Sequence, residues 1–280
     1  ILEGRKGCFL RQKRQETENM KGIVSFDMDM TLLDHKDFKI PESAIEAVKR
    51  LRKNYYIVIA TGRDMDNRYS RGLADEIQPD AVIHLNGTKI TVGKTLIHEH
   101  RMDRELVRQI LEFAEGKDFS VGLTDVSDDY YVNPEFVVRN DIRRFGESGR
   151  QFRDPKLLLQ MPVRTLVYLG QEDGAKSMEA AFPQLKLPMF SSREGADIVE
   201  KKVSKAEGLK LLCDYYGVPM ADTVAFGDSM NDYEMIQQAG IGVAMGNAIE
   251  KLKETADYVT TAVGENGIWN ACCSLKLIDG

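Results

Sequence analysis

The sequence predicts an α/β fold: a Rossmann-like core on a parallel sheet, with an α+β cap domain inserted into it. Three observations carry that reading. Short apolar runs alternate with helical stretches over residues 20–84 and again over 190–280, the pattern of βαβ units with right-handed crossovers. Residues 85–189 break the alternation with hairpins and one layer of helices, as an inserted α+β domain does. Two apolar runs of the core, far apart in the chain, both end on aspartates.

Taken in order, residues 1–19 read as a flexible tail. Ile1-Leu2-Glu3-Gly4-Arg5 resembles a linker remnant and Met20 a natural start; the alternative is a basic arm for an acidic partner. Ile23-Val24-Ser25-Phe26 is a buried strand that stops at Asp27. Pro41-Glu42-Ser43 opens a helix in which Ile45, Val48 and Leu51 recur at helical spacing. A strand over 56–60 leads into Thr61-Gly62-Arg63, followed by a helix over 64–75 and a short strand, Ala81-Val82-Ile83. The hairpin 89–98, turning at Gly93-Lys94, begins the insertion. A helix over 103–115 with Leu106, Ile110 and Phe113 on one face follows, then strands at 118–123, 129–132 and 164–169 and a helix at 174–182. Back in the core, Ser204 caps a helix over 204–216, with Glu207 three residues on. Strand 223–226, helix 231–239, strand 241–244 and helix 247–256 complete the series. The glycines of 240–246 faintly resemble a dinucleotide-binding loop, but no acidic residue is suitably placed, so they read as a strand-end turn.

Bulk properties narrow the partners. At 280 residues the chain buries a large core and holds more than one domain. A net charge of −6 argues against a nucleic-acid backbone as main partner. No apolar stretch reaches bilayer length and the N-terminus lacks a signal-peptide core, so neither a membrane partner nor export is expected. Cys8, Cys213, Cys272 and Cys273 fit neither a zinc site nor a disulfide framework and read as reduced thiols of a cytoplasmic protein. Oligomeric state is not readable.

Ligand sites in open α/β sheets lie just outside the carboxyl ends of strands. Asp27 and Asp29 stand at such an end. Paired carboxylates there supply a nucleophile, a proton carrier or a hard-cation ligand, although aspartate also ends strands simply as a turn residue. Asp228, Asn231 and Asp232 follow a second strand. If the two strands are neighbours, their carboxylates form one anionic pocket that a divalent cation neutralises, and oxygen ligands suit Mg²⁺. Thr61 and Gly62 offer a hydroxyl and closely approachable backbone N–H groups. Lys205 alone reads as a solvated surface charge.

Together, Asp27-x-Asp29-x-Thr31, Thr61-Gly62-Arg63, Lys205 and Gly227-Asp228-Ser229-Met230-Asn231-Asp232 resemble, in that order, the motifs of the haloacid dehalogenase (HAD) superfamily. The spacing resembles its Cof-type phosphatases, which carry a large cap between the second and third motifs. Leu85-Asn86-Gly87-Thr88 and Gly240 to Ala248 resemble further segments of that family, and the match runs from about Met20 to near the C-terminus. The resemblance implies an Mg²⁺-dependent hydrolase of phosphoric monoesters that works through an aspartyl-phosphate. Asp27 would be the nucleophile and Asp29 the acid and base. Asp27, Asp228 and the Asp29 carbonyl would hold the metal. Thr61, the Gly62 N–H and Lys205 would hold the phosphoryl oxygens, with Asn231 and the Met28 N–H assisting and Asp232 orienting Lys205. The implied substrate is a small phosphorylated metabolite, a sugar phosphate first. A sugar phosphomutase or phosphotransferase using the same intermediate, and a non-catalytic phosphate-ligand binding module, are the alternatives.

Two positions depart from the family pattern. Met30 stands where the family usually has glycine, and Ala206 where it often has glycine after the lysine. Both bear on substrate fit and leave the reactive groups intact. Several other residues read two ways. His98 and His100 alternate as strand zinc ligands would, but lack a third ligand; His35 and His84 need no role. Arg63 reaches toward substrate or is solvated. Asp125, Asp128 and Asp129 either read sugar hydroxyls from the cap or form an exposed turn.

Overall fold

A computed structural model describes residues 20–67, 70–125, 128–190 and 193–279; the expected tail and Cys8 lie outside them. Strand β1 (Gly22–Phe26) is buried along its whole length, as an uncharged strand covered on both faces requires. It pairs in parallel with β2 (Tyr55–Ala60) on one side and β11 (Thr223–Gly227) on the other. Beyond β11 come β12 (Ile241–Ala244) and β13 (Tyr258–Val259). Beyond β2 come β3 (Ala81–His84), β4 (Lys89–Val92) and β5 (Thr95–Glu99), making an eight-stranded sheet. The strands from β13 to β3 run in parallel; β4 is antiparallel to its neighbours β3 and β5.

Period-two alternation divides the core's side chains between two helical layers. Val24, Phe26, Ile57, Ile59, Val224 and Phe226 join a cluster with helices α1 (Glu42–Leu51) and α9 (Gly267–Ser274). Their neighbours Ile23, Val58, Ala60 and Ala225 face the other way, onto α6 (Lys205–Tyr216), α7 (Tyr233–Gln238) and α8 (Glu250–Lys253). Helix α2 (Arg71–Ile77) packs Ile77 into the first cluster.

A second, antiparallel sheet lies between β5 and α6 in sequence. Its order is β7 (Asp128–Val132), β6 (Ser120–Asp125), β8 (Leu166–Leu169), β10 (Gly195–Glu200) and β9 (Leu185–Lys186). Helices α3 (Arg104–Ala114) and α5 (Glu172–Ala181) cover one face through Leu106, Ile110, Ala175 and Met178. Helix α4 (Pro134–Phe145) is also in this unit.

The seams differ from the expected 85 and 189. The hairpin placed in the insertion instead extends the large sheet, because β4 registers Ile90 against Ile83 on the antiparallel edge of β3. Strand β10, within the stretch expected to be the returning core, pairs with β8. Its apolar run is broken by Asp197, which hid the strand. Helix 64–75 is replaced by turns up to residue 67 and the later helix α2. There Asp64 accepts a hydrogen bond from the Asp66 N–H (3.1 Å), a local bond that competes with helix. Helices α4 and α9 lie outside the expected series. Pro134 at the first turn of α4 was the available signal. Among the described residues no helix is long and apolar enough to cross a membrane.

Gly87, between β3 and β4, packs against the start of α6 within the core. It has φ +102°, and a Cβ there would stand 2.2 Å from the Ser204 carbonyl oxygen, at the start of α6. Gly87→Ala should lower unfolding stability by roughly 2–4 kcal/mol, since strain and overlap with backbone add. Urea denaturation measures it, and a loss under 0.5 kcal/mol would contradict the packing described.

Candidate active site

Parallel register brings the acidic strand ends together. Phe26 of β1 lies beside Phe226 of β11, with ring centroids 4.9 Å apart. Asp27 and Asp228 therefore leave the sheet at the same edge, close together. On the other flank Phe26 registers with Ile59, so Thr61 emerges next to Asp27. Asn86 follows β3 and donates its backbone N–H to the Thr61 carbonyl (2.9 Å). Every strand contributing to this edge ends at its carboxyl side, where parallel sheets form their sites.

Lys205 is at the centre. Ser204 caps α6 by accepting the Glu207 N–H (3.1 Å), so Lys205 is the first helical residue and points into the site. It is fully buried. Its ammonium donates to Asp27 Oδ1 (2.6 Å) and Asp232 Oδ1 (2.7 Å). Asp232 Oδ2 accepts the backbone N–H groups of Asp228 (3.0 Å) and Ser229 (3.1 Å). Both Asp232 oxygens are thus engaged, and the residue fixes Lys205 and the Asp228 loop at once. Burial would lower the Lys205 pKa, but the Asp232 and Asp27 carboxylates hold it above its ordinary value.

The carboxylates have three different fates. Burial, reinforced by Asp232 and Asp29 and only partly offset by Lys205, pushes Asp27 up to about 7. Burial and the charges of Asp27 and Asp232 push Asp228 up to about 9. Burial also acts on Asp29, but a bidentate Arg63 (2.6 and 2.6 Å) and His35 (2.7 Å) outweigh it and hold that carboxyl well below the usual range.

Four carboxylates therefore meet two permanent cations, Lys205 and Arg63. Oxygens of Asp27, Asp228 and Asp232 lie within 4.8 Å of one another, all from buried residues. Such a hard, anionic donor set fits a small divalent cation, which would relieve the repulsion that raises Asp27 and Asp228. The Asp29 carboxylate is turned to Arg63 and His35, so only its carbonyl is left for that cluster. A second acidic group, Asp64, Asp66 and His84, already holds the Lys89 ammonium (2.9 Å to Asp64, 2.6 Å to Asp66) and is an internal ion pair.

The remaining candidates are placed as follows. Thr61 is buried and its hydroxyl accepts the Arg63 N–H (3.1 Å). The Met28 side chain is buried in the core, and its carbonyl accepts the Leu32 and Leu33 N–H groups. The Asn231 side chain donates to Asn86 Oδ1 (3.1 Å) and accepts the Ser229 hydroxyl (2.7 Å). Met30 has φ +60°, which accounts for glycine in the related pattern, and its side chain packs against the core. Ala206 is buried in α6. Asp129 is buried against Arg150 (2.8 Å) and Asp128 meets Arg153 (3.1 Å), so of that trio Asp125 alone lines a cavity. The His100 ring meets Glu200.

A cavity of about 590 Å³ opens over Asp27, Asp29, Arg63 and Asp228, and the inserted unit contributes Phe190 and Asp197 to it. An adjoining cavity of about 670 Å³ shares Gly62, Arg63 and Asp197. Asp197 carries no sequence signal for this position, whereas Asn86 belongs to the Leu85–Thr88 segment that resembles the family. The buried Asp197 carboxylate accepts the Asn86 amide (2.7 Å), and burial pushes its pKa up to about 6.

A family profile for haloacid dehalogenase-like hydrolases matches residues 24–272. Over 91% of its length the chain is 32% identical to a putative phosphatase, YkrA, of Bacillus subtilis, covering 98% of that protein. Over 88% it is 27% identical to a 5-amino-6-(5-phospho-D-ribitylamino)uracil phosphatase, YitU, of the same organism, covering 94% of it. Among solved structures, the HAD phosphatase BT1666 of Bacteroides thetaiotaomicron superimposes with a TM-score of 0.84 at 29% identity, covering 93% of this chain and 97% of that one. The subclass IIB sugar phosphatase BT4131 gives 0.82 at 27% identity, covering 92% and 100%.

Two stability predictions follow from the site's charges. Lys205→Met strands two buried carboxylates and should cost roughly 3–5 kcal/mol at pH 8, less at pH 5 where Asp27 takes up a proton; denaturant melts at both pH values measure it. Asp197→Asn should stabilise. With its pKa near 6 in the folded chain and near 4 unfolded, native Asp197 binds more protons between those values. Wild-type stability therefore falls, relative to the variant, as pH rises from about 4 to about 6, and the gap then stays constant. Two pH units set an upper bound of about 3 kcal/mol. A variant no more stable than wild type at pH 8 would refute the raised pKa.

Proposed function

The chain belongs to the haloacid dehalogenase-like hydrolases, in their Cof-type branch, and is a phosphatase; from that premise we propose that it hydrolyses small sugar or polyol phosphates by a two-step displacement on Asp27, with Mg²⁺ bound. The observation that carries the proposal is the buried Lys205 held between Asp27 and Asp232 at the strand ends, beside Asp228. The five-stranded unit is read as the cap, since Phe190 and Asp197 reach from it over the same cavity.

In the first step an Asp27 oxygen attacks phosphorus, the bond to the alcohol oxygen breaks, and Asp29 supplies the leaving alkoxide with a proton. In the second, a water that loses its proton to Asp29 attacks the same phosphorus, freeing phosphate and restoring Asp27. Lys205, Thr61 and the Gly62 N–H steady the phosphoryl oxygens, with Asn231 and the Met28 N–H beside them. Asp27, Asp228 and the Asp29 carbonyl would hold Mg²⁺, which when bound offsets the like charge of carboxylate and phosphate. Asp29 is held charged by Arg63 and His35, so it carries a proton only after those pairs loosen. A phosphate dianion competes for the Arg63 guanidinium and is suited to loosen them.

The cavities accommodate a small polar leaving group, and one relative is named for a ribityl phosphate. The test is phosphate release from sugar phosphates, polyol phosphates and that ribitylaminouracil phosphate, with Mg²⁺ and with EDTA. Release on a subset, lost with EDTA, is expected. Asp27→Asn should fall at least about 10⁴-fold in kcat, as removing a nucleophile does, while keeping its circular dichroism. Mg²⁺ should also raise the wild-type Tm through binding to the folded state. Activity in Asp27→Asn, or phosphate kept on the sugar with little released, would overturn hydrolysis through Asp27.

A further inference from the structure

We infer that Asp197 is the residue with which the cap reads substrate: its open carboxylate oxygen accepts a hydroxyl close to the phosphoester, so the enzyme selects polyhydroxylated phosphates over phosphates lacking that group. The inference rests on the phosphatase reading above and deepens it.

Asp197 is 8% exposed, yet no ion pair reaches it among the described residues. Its Oδ2 accepts the Asn86 amide (2.7 Å) and stands where a Gly62 Cβ would lie only 2.8 Å away. A buried carboxylate without a cation is costly to keep, which argues for a use. Strand alternation says where it points. Ala196 and Ile198 are packed in the cap's own core, so Asp197 faces the other way, beside Val167 of β8. It lines both cavities over the site. Gly62 belongs to the loop expected to hold the phosphate, which puts the Asp197 carboxylate within reach of the first atoms of the leaving group.

Chemistry selects the ligand group. A carboxylate oxygen accepts hydrogen bonds and repels further anions, so it fits a neutral hydroxyl. A site built to bond a hydroxyl rejects the analogue lacking one, because its own buried polar group is then left unpaired. Asn86 also joins Asp197 to Asn231, so a purely structural tether between cap and core is the rival.

Glycerol 3-phosphate and propyl phosphate, which differ in their hydroxyls, separate the two. Wild type should favour glycerol 3-phosphate by at least about tenfold in kcat/KM. Asp197→Ala should bring that ratio close to one, chiefly by loss on glycerol 3-phosphate. Asp197→Asn keeps the shape and the Asn86 bond, and should lower the ratio severalfold should the alanine variant not fold. Equal losses on both substrates, or no preference in wild type, would overturn the inference. If wild type also fails to hydrolyse p-nitrophenyl phosphate, the phosphatase reading falls first.

Discussion

The site depends on one buried cation. Lys205 Nζ lies between Asp27 and Asp232 with no access to water. Removed from water, an ammonium is tolerable only where carboxylates surround it, and those carboxylates are tolerable only where it is present. Each neighbouring feature keeps that arrangement in place. Ser204 starts the helix one residue before the lysine. Asp232 uses one oxygen for the lysine and the other for the Asp228 and Ser229 backbone. Gly87 leaves room for the Ser204 carbonyl behind it.

The balance of charge around this cation explains the chemistry available. Lys205 does not neutralise both Asp27 and Asp228, so burial and mutual repulsion raise both. That is a poor resting state for carboxylates and a good receptor for a divalent ion and a phosphate together. Asp29, one residue beyond Met28, has the opposite environment because Arg63 and His35 reach it from outside the cluster. Environment rather than residue type thus sets opposite ionisation behaviour in neighbouring aspartates.

The inserted unit adds what the core lacks. The core edge holds charges suited to a phosphoryl group but little to distinguish one alcohol from another. The second sheet keeps one face for its own core and turns the other toward the site. Asp197 on that face is seated over Gly62 and lines the cavity above Asp27. The group proposed to read the alcohol thus stands on a different element from those proposed to carry the chemistry.

Much of this was legible in the chain. The apolar strands, their acidic ends, the Ser204 cap and the four ordered motifs are local patterns, because strand burial and capping depend on residues a few positions apart. They determined the fold class and the family, and they singled out Asp27, Asp29, Asp228 and Lys205. What only the tertiary structure decided are the pairings across long separations: the hairpin 89–98 on the edge of the large sheet, β10 in the small one, Arg63 and His35 on Asp29, and Asn86 with Asp197. Local composition carries no record of which strand edge is free or which carboxylate is left without a cation. Those follow from register and packing between segments up to two hundred residues apart, where free energy is set by the partners rather than by the residue itself.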